Sequence, residues 1–174
     1  MVNSIEDPHC TFDPDEDKIK EECGVFGIFG IDNAASMTAL GLHALQHRGQ
    51  EACGIATSDG DTFHTERHFG LVGDNFTGDD PSSRLPGFIS IGHNRYSTAG
   101  GQRTLRNVQP LYAEFHSGGF ALAHNGHITN AYTIRDQLNE AGALFQSTSD
   151  TEVVLHLIAR GKSGEFIDRF ISAI

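Results

Sequence analysis

The chain is 174 residues long, with 12 Lys and Arg against 23 Asp and Glu and three cysteines. That length suits one domain with its own core, and a net charge of −11 argues against a nucleic-acid or anionic-membrane surface. No run approaches the roughly 18 apolar residues of a membrane span, and the odd, widely spaced cysteines and the absence of an apolar signal core point to a cytoplasmic protein.

Residues 1–22 hold eight acids against Lys18 and Lys20, with Pro8 and Pro14 and few apolar positions. They read as a disordered leader that ends at Cys23. Val25, Phe26, Ile28 and Phe29, broken by Gly24, Gly27 and Gly30, read as a buried strand approached closely by other backbone. Asn33 can cap a helix to about His47, with Met37, Leu40, Gly41, Ala44 and Leu45 at helical spacing. A hairpin follows, with strands near 53–58 and 62–68 joined at Asp59-Gly60. Residues 74–87 read as loop, "GFISIGHNRY" as a strand, and residues 97–109 as a polar loop. Two further strands are expected near 110–115 and 118–124, with a turn at Asn125-Gly126. Asn130 caps a helix to about Ala141, stopped by Gly142, and Ser149 with Glu152 forms a capping box for a helix to Arg160. Ser163 opens a last amphipathic segment. Strands in hairpin runs and helices in pairs predict a layered α+β domain rather than an alternating parallel sheet.

Most free cysteines are small buried hydrophobes, and Cys10 and Cys53 need no other role. Cys23 differs because the leader ends immediately before it. Cut there, the thiol would sit beside an α-amino group of reference pKa about 7.7–8.0, a competent base near neutrality. In "HNG", the Asn125 amide and the Gly126 N–H offer two donors for an oxyanion hole, on top of their value as a turn. Arg95 ends a strand before a glycine-rich loop, where it is either a solvated surface group or a bidentate carboxylate clamp. Asp150 in "STSDTE" suits a helix N-terminus on dipole grounds and could also hold an ammonium. Arg95 and Asp150 together would suit the two ends of an α-amino acid. The rival is a metal hydrolase, since His43 and His47 stand at i, i+4; but zinc hydrolases with that spacing carry Glu after the first His, and here it is Ala44.

"EECGVFGIFG", "LHALQHRGQEACGIAT", "GHNRYSTAG", "NVQPL", "LAHNGHITN" and "STSDTEVV" occur in this order. The ensemble, from Glu21 to Leu157, resembles the amidophosphoribosyltransferase family and its N-terminal class II glutamine amidotransferase domain. The resemblance implies a four-layer αββα sandwich of the N-terminal nucleophile (Ntn) hydrolase type. Residues 1–22 would be a propeptide and residues 23–174 the glutaminase domain. Cys23 would attack the glutamine side-chain amide once residues 1–22 are removed, with Asn125 and Gly126 holding the oxyanion. Arg95 would bind the substrate carboxylate and Asp150 its amino group; Thr98 and Arg48 join the glutamine-binding set, Arg48 in a structural or gating role. His127 stands where relatives often carry asparagine.

The family transfers the ammonia to phosphoribosyl pyrophosphate, giving phosphoribosylamine for purine biosynthesis. The acceptor domain, its magnesium, and the iron–sulphur cluster that some members carry are expected outside this chain, and a homo-oligomer is expected of the full-length protein. These 174 residues would then be a C-terminally truncated domain, at most a glutaminase, with the stripe of Phe166, Ile167, Phe170, Ile171 and Ile174 needing a partner. The alternatives are another class II amidotransferase and an unprocessed, non-catalytic fragment. An intact mass beginning at Cys23 separates the processed enzyme from the latter.

Overall fold

The computed structural model describes residues 23–96, 104–115, 118–161 and 165–174. β1 (Gly24–Phe29), β2 (Ala52–Ser58), β3 (Phe63–Phe69) and β4 (Ile89–Arg95) form an antiparallel sheet in the order β1-β4-β2-β3. The β2–β3 hairpin turns at Asp59-Gly60 as predicted. The Asp59 carboxylate accepts from the N–H groups of Asp61 (3.0 Å) and Thr62 (2.7 Å), while Gly60 takes φ +101°. β2 is buried at every position. β1 is a strand but not a buried one, because it lies at the sheet edge beside β4 alone. Only Gly24 is buried, and Phe29 is 75% exposed.

Helix α1 (Ala34–Ala44) lies on one face of this sheet through Ala34, Ala35, Thr38, Ala39 and Leu42. The expected stripe of Met37 and Leu40 is turned outward instead. Close approach chose the face: the Phe26 ring fills the space beside Gly41, and Thr38 and Leu42 fill that beside Gly92. Small residues let helix and sheet touch where the larger apolar ones could not. The helix ends before His47, at Ala44, and gives way to a 3-10 turn at Gln46–Arg48, which breaks the helical spacing of His43 and His47. The expected loop at 74–87 holds two short helices, α2 (Val72–Phe76) and α3 (Pro81–Arg84). Val72, Phe76 and Leu85 close the first core with Ala35, Ala39, Leu42, Cys53 and Ile55.

The second half pairs β5 (Leu111–Phe115) with β6 (Gly118–Leu122) and packs α4 (Ala131–Glu140), α5 (Thr151–Arg160) and α6 (Phe166–Ala173) around a second core. Asn125-Gly126 closes no hairpin: the chain bends there, Gly126 at φ +147°, and runs on to α4. The Ser149–Glu152 capping box does not form. Asp150 caps α5, and Glu152 folds back to accept from the amides of Gln146 (2.7 Å) and Ser147 (2.8 Å). Ser163 lies outside the described residues; α6 opens on a reciprocal Glu165–Asp168 box. From its apolar stripe Phe170 packs into the second core, whereas Ile167, Ile171 and Ile174 are exposed.

Alternation along the strands stacks these layers. Cys53, Ile55, Gly92 and Asn94 face α1, and Asn94 donates to the Leu42 carbonyl at 2.6 Å. Gly54 and His93 face the other way, where the second half arrives. Phe63 meets Tyr112 with ring centroids 5.2 Å apart, and a Cβ at Gly54 would overlap the carbonyl oxygen of Gln109. Helix, sheet, sheet and helices therefore follow in order, the αββα sandwich of an α+β domain. Gly54→Ala should force the two layers apart and cost about 1–3 kcal/mol, as overpacking does; thermal denaturation of parent and variant checks it.

Candidate active site

Gly24 pairs with Asn94, so one step outward Cys23 comes level with Arg95. Opposed residues in an antiparallel pair share a face, and Arg95 shares its face with His93. Both candidates therefore project toward the second sheet. The half-buried Cys23 sulphur accepts from the Tyr96 N–H at 3.4 Å and lies 3.8 Å from the Tyr96 carbonyl oxygen. Arg48 Nε donates to the Cys23 carbonyl at 3.2 Å, so this side chain holds the Cys23 backbone.

The Arg95 side chain is 15% exposed, and its Nε stands 3.7 Å from Glu51 Oε2, too far for a hydrogen bond. Nη1 is buried and has no hydrogen-bond partner among the described residues. Leaving a buried charged donor idle is expensive, and a carboxylate from outside would satisfy it.

The second group is built around Gln109. Its Oε1 accepts from the His124 N–H at 2.6 Å, and its Nε2 donates to Thr151 Oγ1 at 3.1 Å. Asp150 accepts the Thr151 N–H at Oδ1 (2.7 Å) and the Ile128 N–H at Oδ2 (2.8 Å), with His127 Nδ1 3.4 Å from the same oxygen. The exposed Asn125 and Gly126 are thus held from both sides, through His124 and through Ile128.

The predicted residues fall into two groups: Cys23, Arg48 and Arg95 at the end of the first sheet and the turn beside it, and Asn125, Gly126 and Asp150 beside the second. Thr98 lies outside the described residues. His93 of β4 stands between the groups, 1% exposed. Burial pushes its imidazole from the ordinary 6.5 down to about 4; the His124 backbone opposes this, outside good hydrogen-bond geometry, and the Arg95 charge adds to it. The sequence analysis missed Glu51, Tyr96, Gln109 and Thr151. Gln109 and Thr151 sit inside "NVQPL" and "STSDTEVV", where a buried amide and hydroxyl leave no periodic signal. Glu51 is separated from Arg95 by a whole strand.

Cys53 behaves as the expected buried hydrophobe. Burial, with the Asp74 charge behind it, pushes its thiol up to about 12. His43 and His47 are both exposed, and among the described residues no group of three His, Cys, Asp or Glu side chains could hold a metal ion. No helix there is long and apolar enough to cross a membrane.

Residues 93–172 match the glutamine amidotransferase domain family. An amidophosphoribosyltransferase of Rhizobium etli is 62% identical over 165 residues, covering 94% of this chain and 33% of that protein. One of Lacticaseibacillus casei is 55% identical over 152 residues, covering 84% of this chain and 76% of that protein. A solved glutamine phosphoribosylpyrophosphate amidotransferase from B. subtilis, complexed with ADP and GMP, is 40% identical with a TM-score of 0.78 over 86% of this chain and 32% of its own. The chain spans about a third of the length of the Rhizobium relative.

Iodoacetamide on the native protein should therefore alkylate Cys23 and spare Cys53, as peptide mapping by mass would show. His93 adds a pH dependence. On acidification the unfolded ring protonates below about 6.5 while the folded ring stays neutral to about 4, so its contribution is complete above 6.5 and lost toward 4. The stability advantage of the parent over His93→Gln should shrink by about 3 kcal/mol between about pH 7 and about pH 4, measured by urea unfolding.

Proposed function

This chain belongs to the amidophosphoribosyltransferase family, and we propose that it carries that family's glutamine hydrolysis. The observation behind the reading is the placement of Cys23 level with Arg95, whose buried Nη1 has no hydrogen-bond partner among the described residues. Glutamine would enter with its α-carboxylate on Arg95 and its α-ammonium on Asp150, leaving the side-chain amide to reach Cys23.

With residues 1–22 removed, the α-amine of Cys23 takes the thiol proton and the sulphur adds to the amide carbon. The developing oxyanion is held by the Asn125 side-chain amide and the Gly126 N–H, on a segment already fastened at His124 and Ile128. Collapse of this adduct breaks the C–N bond, the amine returns a proton to the departing nitrogen, and ammonia leaves behind a γ-glutamyl thioester. Water, deprotonated by the same amine, adds to the thioester carbonyl and frees glutamate and the thiol. Arg48 keeps the Cys23 carbonyl fixed throughout. The ammonia then displaces pyrophosphate from phosphoribosyl pyrophosphate to give phosphoribosylamine. That acceptor chemistry, with its magnesium and any iron–sulphur cluster, belongs on this reading to residues outside these 174, in a homo-oligomeric, cytoplasmic protein.

Cys23→Ala should abolish glutamine hydrolysis and, where the acceptor domain is present, leave ammonium-driven synthesis near the parent rate. Glutaminase activity near that of the parent would overturn the assignment.

A further inference from the structure

The ladder of the second sheet ends at Leu122, opposite Leu111, and α4 opens at Ala131. Between them, no backbone-to-backbone hydrogen bond among the described residues reaches residues 123–127. The segment that presents the Asn125 amide and the Gly126 N–H is therefore held by side chains. Gly126, at φ +147°, gives it no regular geometry to fall back on. The His124 N–H goes to Gln109 Oε1 at 2.6 Å, and the next backbone donor with a partner among the described residues is that of Ile128, on Asp150.

Gln109 is buried, and its carbonyl oxygen lies against Gly54 of β2. The His124 N–H can only donate, so the amide oxygen must face it, which leaves Nε2 for the buried Thr151 hydroxyl at 3.1 Å. Thr151 is the first residue of α5. One side chain thus fastens an otherwise unladdered segment to a buried strand and to a helix. We propose that Gln109 is a positioning residue for glutamine hydrolysis: through the His124 N–H it holds Asn125 and Gly126 where the oxyanion forms. This rests on Asn125 and Gly126 being the oxyanion donors. His93 of β4 faces the same backbone outside hydrogen-bond geometry and does not share the task. Negative charge develops on the amide oxygen only as the sulphur adds, so donors placed for it act on the transition state more than on bound glutamine. Letting the segment drift therefore costs kcat and spares KM, a distinction that a contact serving only the fold would not make.

The test is steady-state glutaminase kinetics on the full-length protein beginning at Cys23, beside the rate at which iodoacetamide alkylates that thiol. Alkylation is a displacement at saturated carbon and forms no oxyanion, so it reads the nucleophile alone. Gln109→Met keeps the volume and removes both hydrogen bonds. It should lower kcat roughly 10- to 100-fold, the range of a misplaced oxyanion donor, with KM and the alkylation rate little changed. Gln109→Glu, which keeps the acceptor for the His124 N–H, should recover most of that loss. If Gln109→Met does not fold, Gln109→Asn, one methylene short of the His124 N–H, is read in the same way. In an Asn125→Ala background the Gln109 change should cost much less than it does alone, because it acts through that segment. Parent-like kcat in the Gln109 variants would overturn the proposal, as would alkylation slowed in step with kcat or full additivity with Asn125→Ala. Asn125→Ala by itself separates the two levels. Parent-like kcat there would remove the oxyanion assignment and this proposal with it, whereas a collapsed kcat beside unaffected Gln109 variants would remove the proposal alone.

Discussion

The carbonyl oxygen of Gln109 occupies the space that a side chain at residue 54 would need, and the site is measured from that contact. With its backbone set against β2, Gln109 spends both ends of its amide, one on the His124 N–H and one on the Thr151 hydroxyl. The Asn125-Gly126 segment and the start of α5 take their positions from there. Cys23 and Arg95 take theirs from β4, which pairs with the same strand along its whole length. β2 is buried at every position, so the reference shared by the two groups is the least deformable part of the sheet.

The two ends of the site differ in how complete they are. Arg95 is loosely paired: Glu51 Oε2 stands 3.7 Å from its Nε, and its buried Nη1 has no hydrogen-bond partner among the described residues. Asp150 is crowded, with two backbone amides, a hydroxyl and an imidazole around its oxygens. On the reading proposed above, a ligand carboxylate would meet an unpaired donor at one end, whereas a ligand ammonium would share an occupied carboxylate at the other. The first contact is governed by desolvation already incurred in folding, and the second by exchange between competing donors.

The strands and most helices were legible because they rest on local chemistry. The Asp59-Gly60 hairpin needs an acceptor and a positive-φ residue in sequence, and both are adjacent. Cys23 drew attention because a composition boundary falls before it. What failed was decided at a distance. Met37 and Leu40 looked like the buried face of α1 until Phe26 and Gly92 brought the sheet too close for anything but small residues. Glu152 looked like half of a capping box until the amides of Gln146 and Ser147 offered it a better place. Asn125-Gly126 carried a hairpin signature, but no strand follows it to pair. Gln109 and Thr151, which organise half of the site, show in the sequence only as members of motifs, since a buried polar residue has no period of its own.

Cys23 is held by the ladder at Gly24, by Arg48 at its carbonyl and by Tyr96 at its sulphur. All three anchors lie on the side chain or downstream of the α-carbon. Cys23 takes its place from the folding of the first sheet. On the reading proposed above, scission of the bond before Cys23 would change a neutral amide into a titratable amine while these three anchors keep their places. On that reading, maturation would be a question of timing rather than of shape.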